Sequence, residues 1–252
     1  ISSFTKLLRV LLLEKTQFLL TGKINKINKF RTLEEKILIV GGDSRLGNSL
    51  KTILKKKKLK FIETSRRKKK KSVFLNLNNI KKFKISKKIT SCVILSGITN
   101  YNECEKNKKK SKKINCENTS NLIKELLRKK IFTCYISTNT IFNKKSKPGE
   151  KTLPNPNFEY ARQKYITEKN IFNYSKTNNL EKFFCVLRLT KNVGISTSPF
   201  YQWIENIINK KKIIAFEDLY FSPILFINSA NIILKLLKKK KPGIFHLSNK
   251  SN

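Results

Sequence analysis

The feature that most constrains this chain is a short run, Lys36-Ile37-Leu38-Ile39-Val40, that ends on Gly41-Gly42 and is followed by Leu46, Leu50, Ile53 and Leu54 at helical spacing. That order predicts a buried strand, a glycine turn and an amphipathic helix. The alternation continues. Lys60–Thr64, Val73–Leu77, Ser91–Ser96, Ile131–Ser137 and Glu181–Leu187 have the length and apolar content of strands, and helical spacing predicts helices over Asn115–Leu127 and about Asn157–Tyr174. Short buried-type strands separated by helices imply an α/β chain with a doubly wound parallel sheet covered on both faces.

After Thr190 the texture changes. Phe200–Asn209 and Ser229–Leu237 read as helices, and Ile213–Phe216 and Gly243–Leu247 as strands. We therefore expect a domain over residues 35–190 and a small C-terminal annex over 191–252, built at the carboxyl ends of the strands, where open α/β sheets bind ligands. The chain contains no Met, so it reads as a fragment or as one whose start is misassigned, with residues 1–34 an N-terminal extension of undetermined role.

Composition narrows the function classes. The net charge is +40, yet only eight of the 56 basic residues are Arg, and the chain is otherwise heavy in Asn, Ile and Phe. A/T-rich coding produces that combination in any protein, whereas nucleic-acid readers favour Arg for its bidentate fork. No specific nucleic-acid partner is expected, only loose, salt-sensitive attraction to polyanions. No run reaches the roughly 18 apolar residues of a spanning helix, since Leu7–Leu20 is broken by Arg9, Glu14 and Lys15, so no membrane role is expected. Five cysteines without a C-x-x-C pair, and a single His246 in a strand-like run, speak for a reducing cytoplasm and against a metal site.

Four local patterns carry chemistry. Gly41-Gly42-Asp43-Ser44-Arg45-Leu46-Gly47 lies between a strand and its helix, where glycines permit close backbone approach and free N–H groups face a pyrophosphate. Arg66 and Arg67 follow the second strand, where cations would take the 2′-phosphate of NADP; a slip of two residues would instead offer Glu63 to a ribose. Tyr160 and Lys164 stand at i, i+4 on one helix face, so that an ammonium could lower the pKa of a phenol acting as general acid. Ser137-Thr138 ends a strand 22 residues earlier, placing a hydroxyl for the same carbonyl.

In this order the chain resembles the extended short-chain dehydrogenases/reductases, and most of all their dTDP-4-dehydrorhamnose reductase-like, sugar-nucleotide-binding branch. The resemblance spans about Lys36–Asn249 and adds Gly97-Ile98-Thr99-Asn100 with Glu103-Cys104-Glu105, Ile141-Phe142 and Leu187-Arg188-Leu189-Thr190 to the motifs above. It implies a Rossmann-type fold with a substrate-binding annex, NADP as cofactor with NAD as the alternative, a sugar-nucleotide substrate and a role in cell-surface polysaccharide synthesis. A homodimer is allowed. Carried over by residue, Tyr160 would protonate the keto oxygen, Lys164 would hold the nicotinamide ribose and tune Tyr160, and Thr138 would donate to the carbonyl. Gly41, Ser44, Arg45, Leu46 and Gly47 would lie under the pyrophosphate, Ser96 and Gly97 would pass beside the cofactor, and Asn115 matches a helix Asn of the family.

Three departures stand out: Ser44 replaces the middle glycine, Asn76 stands where an Asp is common, and the chain stops near Asn252, before the family's usual final helices, so the annex is expected to be truncated at its C-terminus. The reading is an NADP-dependent keto-sugar reductase. The alternative is a non-catalytic NADP(H)- or sugar-nucleotide-binding regulatory protein, as a resemblance to the regulatory subunit of methionine adenosyltransferase allows.

Overall fold

In the computed structural model, β1 (Lys36–Val40) is an inner strand, third in order, of a seven-stranded parallel sheet. The structure describes residues 36–67, 71–80, 83–86, 88–142, 148, 151–194, 200–212 and 222–249. The expected strand Ile213–Phe216 and the extension 1–34 lie outside them. In chain order the other sheet strands are β2 (Phe61–Ser65), β3 (Val73–Phe74), β4 (Ile89–Ile94), β5 (Phe132–Thr138), β6 (Phe184–Leu189) and β9 (Gly243–Leu247). A separate pair, β7 (Asn192–Val193) with β8 (Ile224–Leu225), is also parallel.

The strand order β3-β2-β1-β4-β5-β6-β9 reverses direction between β1 and β4. Their carboxyl ends therefore open a crevice, the place where doubly wound sheets take a dinucleotide. This is the Rossmann-type architecture expected from the alternation of strands and helices.

Both faces of the sheet are covered. On one, α1 (Arg45–Lys56) lays Leu46, Leu50, Ile53 and Leu54 against Ile37 and Ile39, beside α7 (Phe226–Lys239). On the other, α4 (Thr119–Arg128) and α5 (Glu159–Thr177) cover Leu38, Val40, Ile94 and Tyr135. All five cysteines are buried free thiols among these layers. No helix among the described residues is long and apolar enough to cross a membrane.

Three expectations need correction. First, α7 and β9 do not belong to an annex: β9 pairs in parallel with β6, Cys185 opposite Gly243 through Leu189 opposite Leu247, and α7 covers the same core as α1. Residues 34–252 form one unit by their contacts, so the excursion after Thr190 is an insertion within the last crossover. Second, helical structure begins well before Asn115, with α2 (Tyr101–Lys106), α3 (Lys108–Lys112) and a π-helical turn (Lys113–Asn118) leading into α4. The Lys108–Lys113 run is helical because Ser111 and Asn115 bury its other face, which a reading of charge alone misses. Third, Glu181–Phe183 forms a 3₁₀ turn and the strand starts only at Phe184.

Candidate active site

The crevice floor depends on glycine at three points. Gly41 has φ of +87°, and a Cβ there would lie 2.9 Å from the Ser96 amide nitrogen across the crevice. At Gly42 a Cβ would come within 2.6 Å of the Glu63 Cβ, and at Gly47 within 2.8 Å of the carbonyl oxygens of Gly41 and Gly42. Only glycine lets β1, β2, the end of β4 and the start of α1 approach this closely.

Ser44, by contrast, has ordinary extended angles, φ −71° and ψ 160°, and its hydroxyl accepts a hydrogen bond from the Gly47 amide at 3.0 Å. It is a helix N-cap, so the departure from glycine introduces no backbone strain. Arg45 is exposed and Leu46 buried. The structure therefore gathers Gly41, Ser44, Arg45, Leu46, Gly47 and Ser96 around one strand-end crevice.

Two buried hydroxyls at this end of the sheet, Ser96 Oγ and Ser137 Oγ, have no hydrogen-bond partner among the described residues. Buried polar atoms seldom stay unpaired, and a polar ligand along the crevice would satisfy them. With the glycine cradle, this is the fit a dinucleotide requires.

At the end of β2, Glu63 is engaged in an ion pair with Lys51 of α1. Ser65, the last residue of the strand, donates to Asp43 Oδ2 at 3.0 Å and accepts from the Arg67 amide at 3.0 Å. Arg66 and Arg67 are both exposed immediately beyond. The strand end thus presents the two arginines, while the alternative ribose ligand Glu63 is two residues back and already paired. Asn76 accepts from the Asn78 amide at 2.9 Å, closing a turn on itself.

Tyr160 and Lys164 lie on the first turns of α5, beside β5. Tyr160 is 9% exposed and joins Ile98, Cys104 and Phe158 in a small cluster. Burial pushes its phenol well above its usual range, with Tyr101 and Cys104 adding to the effect. Lys164 is 7% exposed; its Nζ donates to the Ile136 carbonyl at 2.8 Å and lies 4.6 Å from the Tyr135 ring centroid and 5.9 Å from that of Tyr160. Burial lowers its pKa from 10.5 to about 8, against a smaller upward pull from Glu168. The expected lowering of the phenol by this ammonium is thus not found in this arrangement, because loss of water outweighs a cation whose hydrogen bond goes to a carbonyl.

Thr138 ends β5 at 7% exposure. Its Oγ1 accepts from the Thr140 amide at 3.2 Å and shares a hydrogen with Thr140 Oγ1 at 2.9 Å.

Several residues hold this site in place through contacts that their motifs do not reveal. Asn115, in the π-helical turn, accepts from the Ile98 amide at 2.8 Å and donates to the Ile98 carbonyl at 2.9 Å and to Gln163 Oε1 at 2.8 Å. It therefore fixes the loop that follows Gly97 to the helix that carries Tyr160. Glu105 caps that helix, accepting from the Glu159 amide at 2.7 Å, which holds its carboxyl below the usual range. Deeper along α5, Glu168 and Arg188 form an ion pair at 2.6 Å with almost no exposure on either side, and Arg188 reaches His246 Nε2 at 3.1 Å. His246 is accordingly a residue of the last strand, tied to the sheet interior.

A Rossmann-type sheet with a glycine-lined crevice at its switch point and a Tyr–Lys pair on the adjoining helix defines the extended short-chain dehydrogenases/reductases. Residues 35–252 match the family model described as the RmlD substrate binding domain, and the chain belongs to that family. No curated protein matches the sequence. Among solved structures, the chain resembles a hypothetical dTDP-4-dehydrorhamnose reductase from Sulfolobus tokodaii at 24% identity and a TM-score of 0.74, over 85% of this chain and 77% of that one. It also resembles a dTDP-4-dehydrorhamnose reductase from Bacillus anthracis solved with NADP, at 19% identity and 0.71 over 89% and 77%. MoeE5, solved with UDP-glucose and NAD, matches at 14% and 0.72 over 86% and 77%.

Proposed function

We propose that this protein is an NADP-dependent reductase of a keto group on a nucleotide-linked deoxysugar, with NAD as a weaker alternative cofactor. The observation that carries the reading is spatial. Tyr160 and Lys164 stand on α5 at the same end of the sheet as the glycine turn, Gly97 and Thr138, although more than 100 residues separate the first motif from the last. Relatives solved with NADP, or with UDP-glucose and NAD, lend the cofactor and substrate classes.

In this reading Gly41, Ser44, Arg45, Leu46 and Gly47 hold the pyrophosphate, Arg66 and Arg67 the 2′-phosphate, and Ser96 and Gly97 line the path between them and the reaction centre. When bound, the nicotinamide supplies the hydride. Tyr160 keeps its proton tightly, its pKa being raised by burial, and releases it only to an oxygen on which negative charge develops. Lys164 then stands near enough to stabilise the phenolate left behind, and Thr138 offers a hydroxyl to the same oxygen. Asn115, Gln163 and Glu105 keep helix and loop in register for this transfer.

The test is to follow the loss of absorbance of NADPH with a panel of 4-keto sugar nucleotides. Tyr160→Phe should keep NADPH affinity within about twofold while lowering turnover by about 10² to 10⁴. Full activity of that variant would move the proton donor elsewhere and remove the centre of the proposal.

A further inference from the structure

Tyr101 lies outside every motif discussed above, yet it touches both halves of the reaction centre. Its ring centroid is 5.3 Å from that of Tyr160 and 4.7 Å from that of Phe158, and its hydroxyl lies on the side of the Thr140 side chain. Thr140 in turn shares a hydrogen with Thr138. One residue, the first of α2, thus links the end of β5 to the start of α5. Around Tyr160 the neighbours Ile98 and Cys104 are buried and Phe158 partly so, whereas Tyr101 is 47% exposed. A molecule approaching the Tyr160 phenol from this side meets the Tyr101 ring first.

We propose that Tyr101 is a specificity-determining residue, an aromatic wall against which the sugar ring of the substrate lies. This rests on the sugar-nucleotide reading above and names the residue that recognises its sugar half. The chemistry suits that partner. A deoxysugar presents C–H and methyl surface that an aromatic ring can cover, and the hydroxyl groups beside it find the Tyr101 and Thr140 oxygens. Packed against the rings of both Phe158 and Tyr160, the Tyr101 side chain has less rotamer freedom left to lose, so contact with a ligand costs it little entropy.

The experiment measures how much the sugar adds to nucleotide affinity. Calorimetric Kd values are compared for dTDP-glucose against dTDP, and for UDP-glucose against UDP, with NADPH affinity measured alongside. In the unmodified protein one sugar nucleotide should bind more tightly than its free diphosphate. Tyr101→Ala should reduce that gain by about three- to tenfold, the range of an aromatic contact, and Tyr101→Phe, which retains the ring, should reduce it less. NADPH affinity should be unchanged in both. An undiminished gain in Tyr101→Ala would overturn the assignment while leaving the reductase reading intact. No gain in the unmodified protein would overturn the assignment and the sugar-nucleotide reading together, and a parallel loss of NADPH binding in Tyr101→Ala would mark the ring as merely structural.

Discussion

Replacing Lys164 by Met should make the protein more stable at neutral pH, and the effect should fade as the pH rises. Lys164 is buried among Tyr135, Ile136 and Tyr160, and its pKa falls from an ordinary 10.5 to about 8. Between those values the unfolded chain holds a proton that the folded chain has released, so stability increases with pH across that window. At pH 7 the folded protein keeps the buried ammonium charged, at a cost of roughly 3 kcal/mol relative to a neutral amine. Met has similar length and no charge, and it removes that cost together with the hydrogen bond to Ile136. Because the pH dependence belongs to the proton alone, the stability gap between Lys164→Met and the unmodified protein should shrink by about 2 to 3 kcal/mol from pH 7 to pH 10. Urea unfolding at both pH values gives the gap directly, and the many other lysines cancel in the difference. A gap that does not change with pH would show that the ammonium is not penalised by burial. A buried cation that destabilises the fold is what a functional group looks like energetically, so the variant should also be inactive.

Three further outcomes follow from the same structure. Arg66→Ala with Arg67→Ala should erase most of a preference for NADPH over NADH measured by fluorescence titration; equal affinities in the unmodified protein would make the pair surface charge only. Glu168→Ala should cost about 3 to 5 kcal/mol in urea unfolding by stranding the Arg188 guanidinium, while Glu168→Ala with Arg188→Met should recover most of that loss; a single-variant loss under about 1 kcal/mol would contradict the pairing. Lys130, at φ +56°, closes the end of α4, with its own amide bonded to Leu127 O and the Ile131 amide to Leu126 O. Lys130→Gly should raise stability by about 1 kcal/mol, read as a higher midpoint of thermal unfolding, and a lower midpoint would refute the strain argument.

The parts of the fold that were legible from sequence are those in which chemistry and neighbourhood coincide. Ile37 to Val40, Gly41-Gly42 and the Leu46-Leu50-Ile53-Leu54 stripe specify strand, turn and helix within 20 residues, and Tyr160 with Lys164 needs only one helical turn. Tyr101, Glu105, Gln163 and the Glu168–Arg188–His246 line were not legible. Their partners stand far off in sequence, and a tyrosine or glutamate at a helix start looks the same whether it faces solvent or another side chain. The available signals were weak. Glu103-Cys104-Glu105 belongs to the family pattern, but the pattern does not say that Glu105 caps the helix of Tyr160.

The composition that raises the net charge to +40 also blurred the element boundaries. Helices commonly stop at a glycine in the left-handed region, and that glycine is the mark by which a sequence shows where a helix ends. Here the left-handed positions following α1, α4, α5, α6 (Phe200–Ile208) and α7 are Lys58, Lys130, Asn179, Lys210 and Lys240, with φ between 46° and 56°. Each end is nevertheless closed by amide bonds back to the last turn, as Leu59 to Leu54 and Leu180 to Ser175 show at 2.9 and 2.8 Å. The chain has glycine where no side chain fits, at Gly41, Gly42 and Gly47 beneath the crevice, and carries lysine or asparagine at helix ends, where that costs only about 1 kcal/mol. Of the eight glycines in the chain, Gly41 and Gly47 mark a place where backbone approaches backbone, since an added Cβ there would lie within 3 Å of backbone atoms. In this molecule that place is the floor of the proposed cofactor site.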